Sequence, residues 1–236
     1  MNAPSPFLLL AHGLLALFVC WGWSYAWRRA NGGARQQPDV VQLVLLGWLV
    51  ATYLLARSGA LVAPAGSPPR MIFLLGPAAL ALIALALSPF GARLIAGLPL
   101  GWIVLTQVFR LPVELILFEL HREGVIPVQM TFEGQNFDVL TALSAVVVWL
   151  VCRKREVKGL VLAWNLLGLA LLARIVFIAV RAMPGPWPAD PIEPQNTIVL
   201  TSAFVWIPGL YVLTALFVHV LVFRALFAQR ASTAVT

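Results

Sequence analysis

Apolar residues in this chain do not alternate with polar ones. They run in blocks of about twenty, and polar, Pro- and Gly-rich breaks separate the blocks. Twenty residues of helix rise about 30 Å, the thickness of a bilayer's hydrocarbon core. The pattern predicts an all-α, polytopic transmembrane helix bundle of about seven spans, at about 7–27, 39–57, 71–89, 94–121, 138–152, 159–181 and 197–223. Helices are required because lipid offers no partner to an open strand edge. The breaks RRANGGARQQP, SGALVAPAGSPP, PFGAR, REGVIPVQMTFEGQNF, RKREVK and AMPGPWPADPIEPQN read as connections. They leave no room for a soluble domain, so residues 1–236 form one integral membrane domain.

Composition strengthens this picture: 61% of residues are hydrophobic, 11% are charged, and the mean hydropathy is +0.92. A net charge of +7 in a soluble protein would suggest a nucleic-acid partner, but here the placement of the basic residues argues for topology. With the N-terminus outside, the inner loops hold Arg28, Arg29, Arg35, Arg93, Arg153, Lys154, Arg155, Lys158, Arg224 and Arg230, ten of the sixteen basic residues. The outer loops hold Arg57, Arg70, Arg122 and Arg181. The predicted orientation is N-out and C-in, with the bilayer as partner and no nucleic acid. The first block has no basic residue before it and Arg28 directly after it, as expected of a retained span and not of a cleaved signal. Cys20 and Cys152 lack metal-type spacing and read as apolar filler.

The costly residues are polar ones inside the spans. In TQVFRLPVELILFELHRE, at 100° per residue, Gln107, Arg110, Glu114 and His121 fall on one helical stripe, and Pro112 removes a backbone donor between the two charges. Ionised groups in lipid face the protein interior and mark sites or pathways. His12 in the first span, Arg174 in the sixth, Asp138 at the start of the fifth and Glu133 before it are placed at the same outer depth. The expectation is an outward-facing cavity lined by these residues. The loop between the fourth and fifth spans reads either as its lid, with Gly124 and Gly134 as hinges and Phe132 and Phe137 as plugs, or as an ordinary interfacial loop with its aromatic and Met side chains in the headgroup region.

Plainer readings stand beside it. Arg110 and Glu114 have the spacing of an i,i+4 ion pair, Arg174 has carboxylates within reach across the bundle, and Asp138 is placed to cap a helix. Ala81, Ala84 and Ser88, and the pair Gly97 and Gly101, read as packing devices. Trp27 and Trp187 suit interfacial anchoring, and Trp206 with Pro208 and Gly209 marks a bend in the last span.

Several chemistries find no footing. The last span has no lysine for a retinal Schiff base. His12 and His121 are placed near the outer face but His219 lies far down the last span, which removes three-histidine zinc coordination and leaves no metal or cofactor expected. Three functions stay open: binding or transport of a small polar or anionic solute or a lipid headgroup; an intramembrane enzyme using Glu114 or Asp138 as acid or base on a lipid-like substrate; and a structural or assembly role with every charge satisfied internally. The segment carrying FRLPVE, MTFEG and NFD resembles a group of bacterial integral membrane proteins of about seven spans. That resemblance implies a bacterial inner membrane and brings no activity or cofactor.

Overall fold

The computed structural model describes residues 3–33, 39–64, 66–155, 157–186 and 192–233, and all regular structure among them is helical. Arg35 and Trp187 and the side chain of Arg230 lie outside the described residues. The long helices are α1 (Pro6–Ala30), α2 (Val40–Arg57), α3 (Met71–Leu87), α7 (Val139–Cys152), α8 (Lys158–Arg181) and α10 (Leu213–Thr233). Shorter ones are α4 (Pro89–Gly97), α5 (Leu100–Leu105), α6 (Arg110–Arg122) and α9 (Ile198–Thr201).

Among the described residues, four runs are long and apolar enough to cross a membrane: α1, α2, α8 and Ala203–Ala228. The bent pair of α3 and α4, turned by 59° at Ser88, makes a fifth if counted as one span. The bend has a local cause: Ser88 is extended, its hydroxyl accepts from the Phe90 amide, and Pro89 opens the next helix.

Two sequence expectations change here. The fourth span does not start at Leu94. Leu98 is extended before Pro99, so a new helix begins at Leu100, passes through a 3-10 turn at Thr106–Phe109 and continues as α6. The last block also breaks ahead of the bend expected at Trp206, Pro208 and Gly209. Ser202 is extended after α9, and a 3-10 turn and a π-helix at Ile207–Val212, containing Pro208 and Gly209, precede α10.

The start of α2 is fixed by a side chain. Asp39 accepts from the Gln42 amide at 3.1 Å, bonds the Ser24 hydroxyl and lies 3.5 Å from Arg28, tying α2 to α1. Burial pushes the Asp39 carboxyl up, but the Ser24 hydroxyl, the Gln42 amide and Arg28 outweigh it and hold the group below its usual range. A lowered carboxyl stabilises the fold above its unfolded value of 3.8, and that contribution is lost as pH falls through the folded value. Asp39→Ala is expected to cost about 1 kcal/mol at neutral pH and proportionally less in acid, read by thermal unfolding in detergent.

Two apolar clusters fill the bundle. One gathers residues such as Leu8, Leu117, Ile126, Met130 and Phe204; the other gathers Leu94, Leu100, Val161, Leu221 and Leu226. Five chain segments pass from one cluster to the other: Met71 to Ala86, Val104 to Phe109, Met130 to Ala145, Trp164 to Leu172, and Ala215 to Phe217. Gln107, Asn136, Asp138, Thr141 and Asn165, all buried, lie within three of these crossings. Gly97 and Gly101 are close-approach points, since a Cβ at Gly97 would meet Ala30 Cα at 2.4 Å and one at Gly101 would meet Cys152 Cβ at 3.3 Å. Ala81 and Ala84, by contrast, are exposed.

Candidate functional site

Where α5 gives way to α6, Gln107 and Arg110 turn inward between the two apolar clusters. Gln107 is fully buried, and its amide donates to the Ala215 carbonyl of α10 at 3.1 Å. Arg110 is 2% exposed. Its Nε donates to Asp138 Oδ2 at 2.7 Å and its Nη2 to Asp138 Oδ1, a two-pronged pair. Its Nη1 reaches Gln107 Oε1 at 3.5 Å and His219 Nε2 at 3.2 Å.

That last contact fixes a proton. A guanidinium can only donate, so His219 Nε2 accepts and the imidazole hydrogen sits on Nδ1. Nδ1 accordingly donates to Asn165 Oδ1 at 2.8 Å, and Asn165 Nδ2 donates to the His219 carbonyl at 3.1 Å. His219 is therefore a neutral acceptor, and the cluster's cation is Arg110.

Glu114, one turn further along α6, is 2% exposed. It does not pair with Arg110 in the i,i+4 manner. Its Oε2 accepts from Asn136 Nδ2 at 2.6 Å. Asn136 also donates to the Met130 carbonyl at 3.1 Å and accepts from the Asp138 amide at 3.0 Å. The loop of residues 123–138 is thus folded into the bundle, with Ile126, Met130, Thr131 and Asn136 buried. Gly134 permits this, because a Cβ there would stand 2.2 Å from the Val128 carbonyl oxygen. Asp138 opens α7 but makes no side-chain cap; its carboxylate serves Arg110 and accepts from Thr141 Oγ1 at 3.5 Å.

The other expected residues go elsewhere. His12 is fully buried, but its Nε2 donates to the Ala203 carbonyl at 3.0 Å, while Phe204 and Trp206 stack on its ring and Tyr211 meets it edge-on. His121 Nδ1 donates to the Ile126 carbonyl at 3.1 Å and closes the turn after α6. Glu133 is exposed. Arg174 is exposed too; its Nε donates to the Gln135 carbonyl at 2.8 Å and its guanidinium lies 5.3 Å from the Phe137 ring centre. The reason is register on α8: Asn165, Gly168, Leu172 and Ile175 form the buried stripe at helical spacing, and Arg174 falls off it.

Phe132 and Phe137 are likewise not plugs. Phe132 stacks on Phe118 at 4.8 Å, and Phe137 is 42% exposed. The expected open cavity around Arg110 and Arg174 is therefore replaced by a closed cluster of Gln107, Arg110, Glu114, Asn136, Asp138, Asn165 and His219. Three of these were missed or misplaced. Counting the last block as one straight helix from Thr197 puts His219 too deep; the continuous run starts at Ala203, and Arg110 lies ten residues after Leu100. Asn165 and Asn136 carried a weak signal, a lone amide in an apolar span and an amide within QNFD. Among the described residues no group of three or more His, Cys, Asp and Glu could hold a metal ion.

Residues 68–227 match the family described as Domain of unknown function (DUF8737). The chain belongs to this family. The DUF8737 match takes in all seven residues of the buried cluster and leaves out α1 and α2. No curated protein and no solved structure matches the chain.

Proposed function

We propose that this chain is a multi-pass protein of the bacterial inner membrane that binds or moves a small polar or anionic solute at the buried cluster of Arg110, Glu114, Asp138 and His219. The closed arrangement is then the resting state of that site. Adding the Leu100–Arg122 run and α7 to the five candidate spans gives seven crossings, and the placement of basic residues supports N-out and C-in.

The observation that carries the reading is the count of charges between the two apolar clusters. Arg110 is matched by Asp138, so a structural ion pair is complete without Glu114. Glu114 is a second buried acid, and among the described residues its hydrogen bond comes from a neutral amide. Keeping an ionisable group there costs at least about 2.5–3.5 kcal/mol on insertion scales, which makes a functional role the default for it. Both Asn136, which holds Glu114, and Asp138, which holds Arg110, belong to the outer loop and its junction with α7. One movement of that segment would release the guanidinium and the carboxylate together and present them to a solute from the outer side.

A second reading is favoured by the closure itself, in which the cluster only locks α6, α7, α8 and α10 in register. A thermal-shift panel on purified protein separates the two, using amino acids, dicarboxylates, sugars and polyamines at millimolar concentration. The site reading expects one chemical class to raise the Tm of the wild type and to lose that effect in Glu114→Gln. No shift from any class, together with a lowered Tm in Glu114→Gln, supports the lock.

A further inference from the structure

A fissure of about 420 Å³ opens sideways in the bundle, away from the buried charges. Its cause is the packing order: α2 rests on α1 and α3 rests on α10, which leaves a slot between α2 and α3. Val44 and Trp48 form one wall, Ala81 and Leu85 the other, and Leu213 and Phe217 lie beneath. The volume lies within the roughly 300–1,000 Å³ of ligand sites.

The floor is deepened on purpose at Gly209. A Cβ built there meets nothing within 4 Å, and the Trp48 indole N–H donates to the Gly209 carbonyl at 2.7 Å within the π-helical turn. The slot is therefore held open by a residue with no side chain, on an irregular stretch of backbone.

Charged side chains stand near one end of the slot. Val40 and Val41 mark one end, and Asp39, just before them, lies 3.5 Å from Arg28. On the opposite wall, Leu85 and Phe90 bracket the break between α3 and α4, where Arg224 Nη1 donates to the Ala86 carbonyl at 2.7 Å and the Ser88 carbonyl at 2.6 Å. Arg28, paired with Asp39, and Arg224, bonded here to neutral carbonyls, thus stand near one mouth of an otherwise apolar slot, two guanidinium groups against one carboxylate.

We propose that this fissure binds one anionic glycerophospholipid, its acyl chain along the α2–α3 slot and its phosphate at the end where Arg28 and Arg224 stand. An apolar slot open to hydrocarbon takes a chain, and two arginines at one end select a negative headgroup at the interface. A helix from a second copy would fill the slot but would bring no phosphate to its net positive end. The proposal does not depend on the reading of the buried cluster.

The test is native mass spectrometry of the detergent-purified full chain with equal amounts of phosphatidylglycerol and phosphatidylcholine of identical acyl chains. The expected result is a one-lipid adduct that favours phosphatidylglycerol, by roughly fivefold for each arginine engaged. Gly209→Leu should fill the slot and remove the adduct. Val44→Trp should do the same from a position 65% exposed, where a larger side chain cannot disturb the core, so it decides the matter if Gly209→Leu fails to fold. Arg28→Gln should keep an adduct but lower the headgroup preference. Equal retention of the two lipids, or a phosphatidylglycerol adduct that survives Val44→Trp, overturns the proposal. So does a dimer mass that the slot-filling variants dissolve, which would assign the slot to a second copy.

Discussion

Arg110→Met is expected to lower the unfolding free energy by about 3–5 kcal/mol, because it leaves a buried carboxylate without its cation. Asp138, 4% exposed, loses both of its guanidinium bonds, and the second acid, Glu114, stays in the same pocket of the fold. The double variant Arg110→Met/Asp138→Leu should recover most of that loss, since an apolar pair of similar volume carries no desolvation penalty. Chemical unfolding in micelles reads all three proteins. A cost for the single change below about 1 kcal/mol, the level of an exposed pair, would mean that the buried pair does not form.

Gly168→Ala is expected to cost about 1–3 kcal/mol, even though alanine is the better helix former, because the new methyl overpacks a rigid corner. It would stand 2.7 Å from His219 Cε1 and 2.8 Å from Thr141 Cγ2. The imidazole cannot swing aside without breaking its bonds to Asn165 and Arg110. His219→Ala in the same chain should relieve most of the strain, so the two changes should be strongly non-additive. Strict additivity of the three Tm shifts would show that the residues are not neighbours.

Chain pattern made the helices legible and left their breaks obscure. The apolar runs located α1, α2, α3, α7 and α8 within a few residues, because burying an unpaired backbone in lipid leaves few alternatives to a helix. The breaks at Pro99 and Ser202 were missed, since hydropathy continues across both. Those two misses propagated into the site. Counting straight helices from Leu94 and from Thr197 places Arg110 and His219 at opposite depths, whereas their side chains touch at 3.2 Å.

Arg110, Glu114, Gln107 and Asp138 were recognisable because ionised and amide groups are conspicuous in an oily run. Their partners were not. Which carboxylate Arg110 takes depends on how the 123–138 loop folds back, and that is set by backbone contacts such as Gly134 against Val128. Arg174 was wrongly gathered in because depth along α8 was considered without its rotation.

The central claim, that the closed cluster is a solute site which opens toward the outer face, is tested most directly by the accessibility of a cysteine placed inside it. Cys20 and Cys152 are the chain's only cysteines, so a Cys20→Ala/Cys152→Ala background carries none. Thr141→Cys adds one at a position 2% exposed beside Asp138. In sealed spheroplasts, a membrane-impermeant cationic thiol reagent applied from outside is predicted to label Cys at 141 slowly, and a solute that raises the Tm is predicted to change that rate. If the reagent labels only after denaturation, the cluster does not open, and the account of a site gives way to that of a lock.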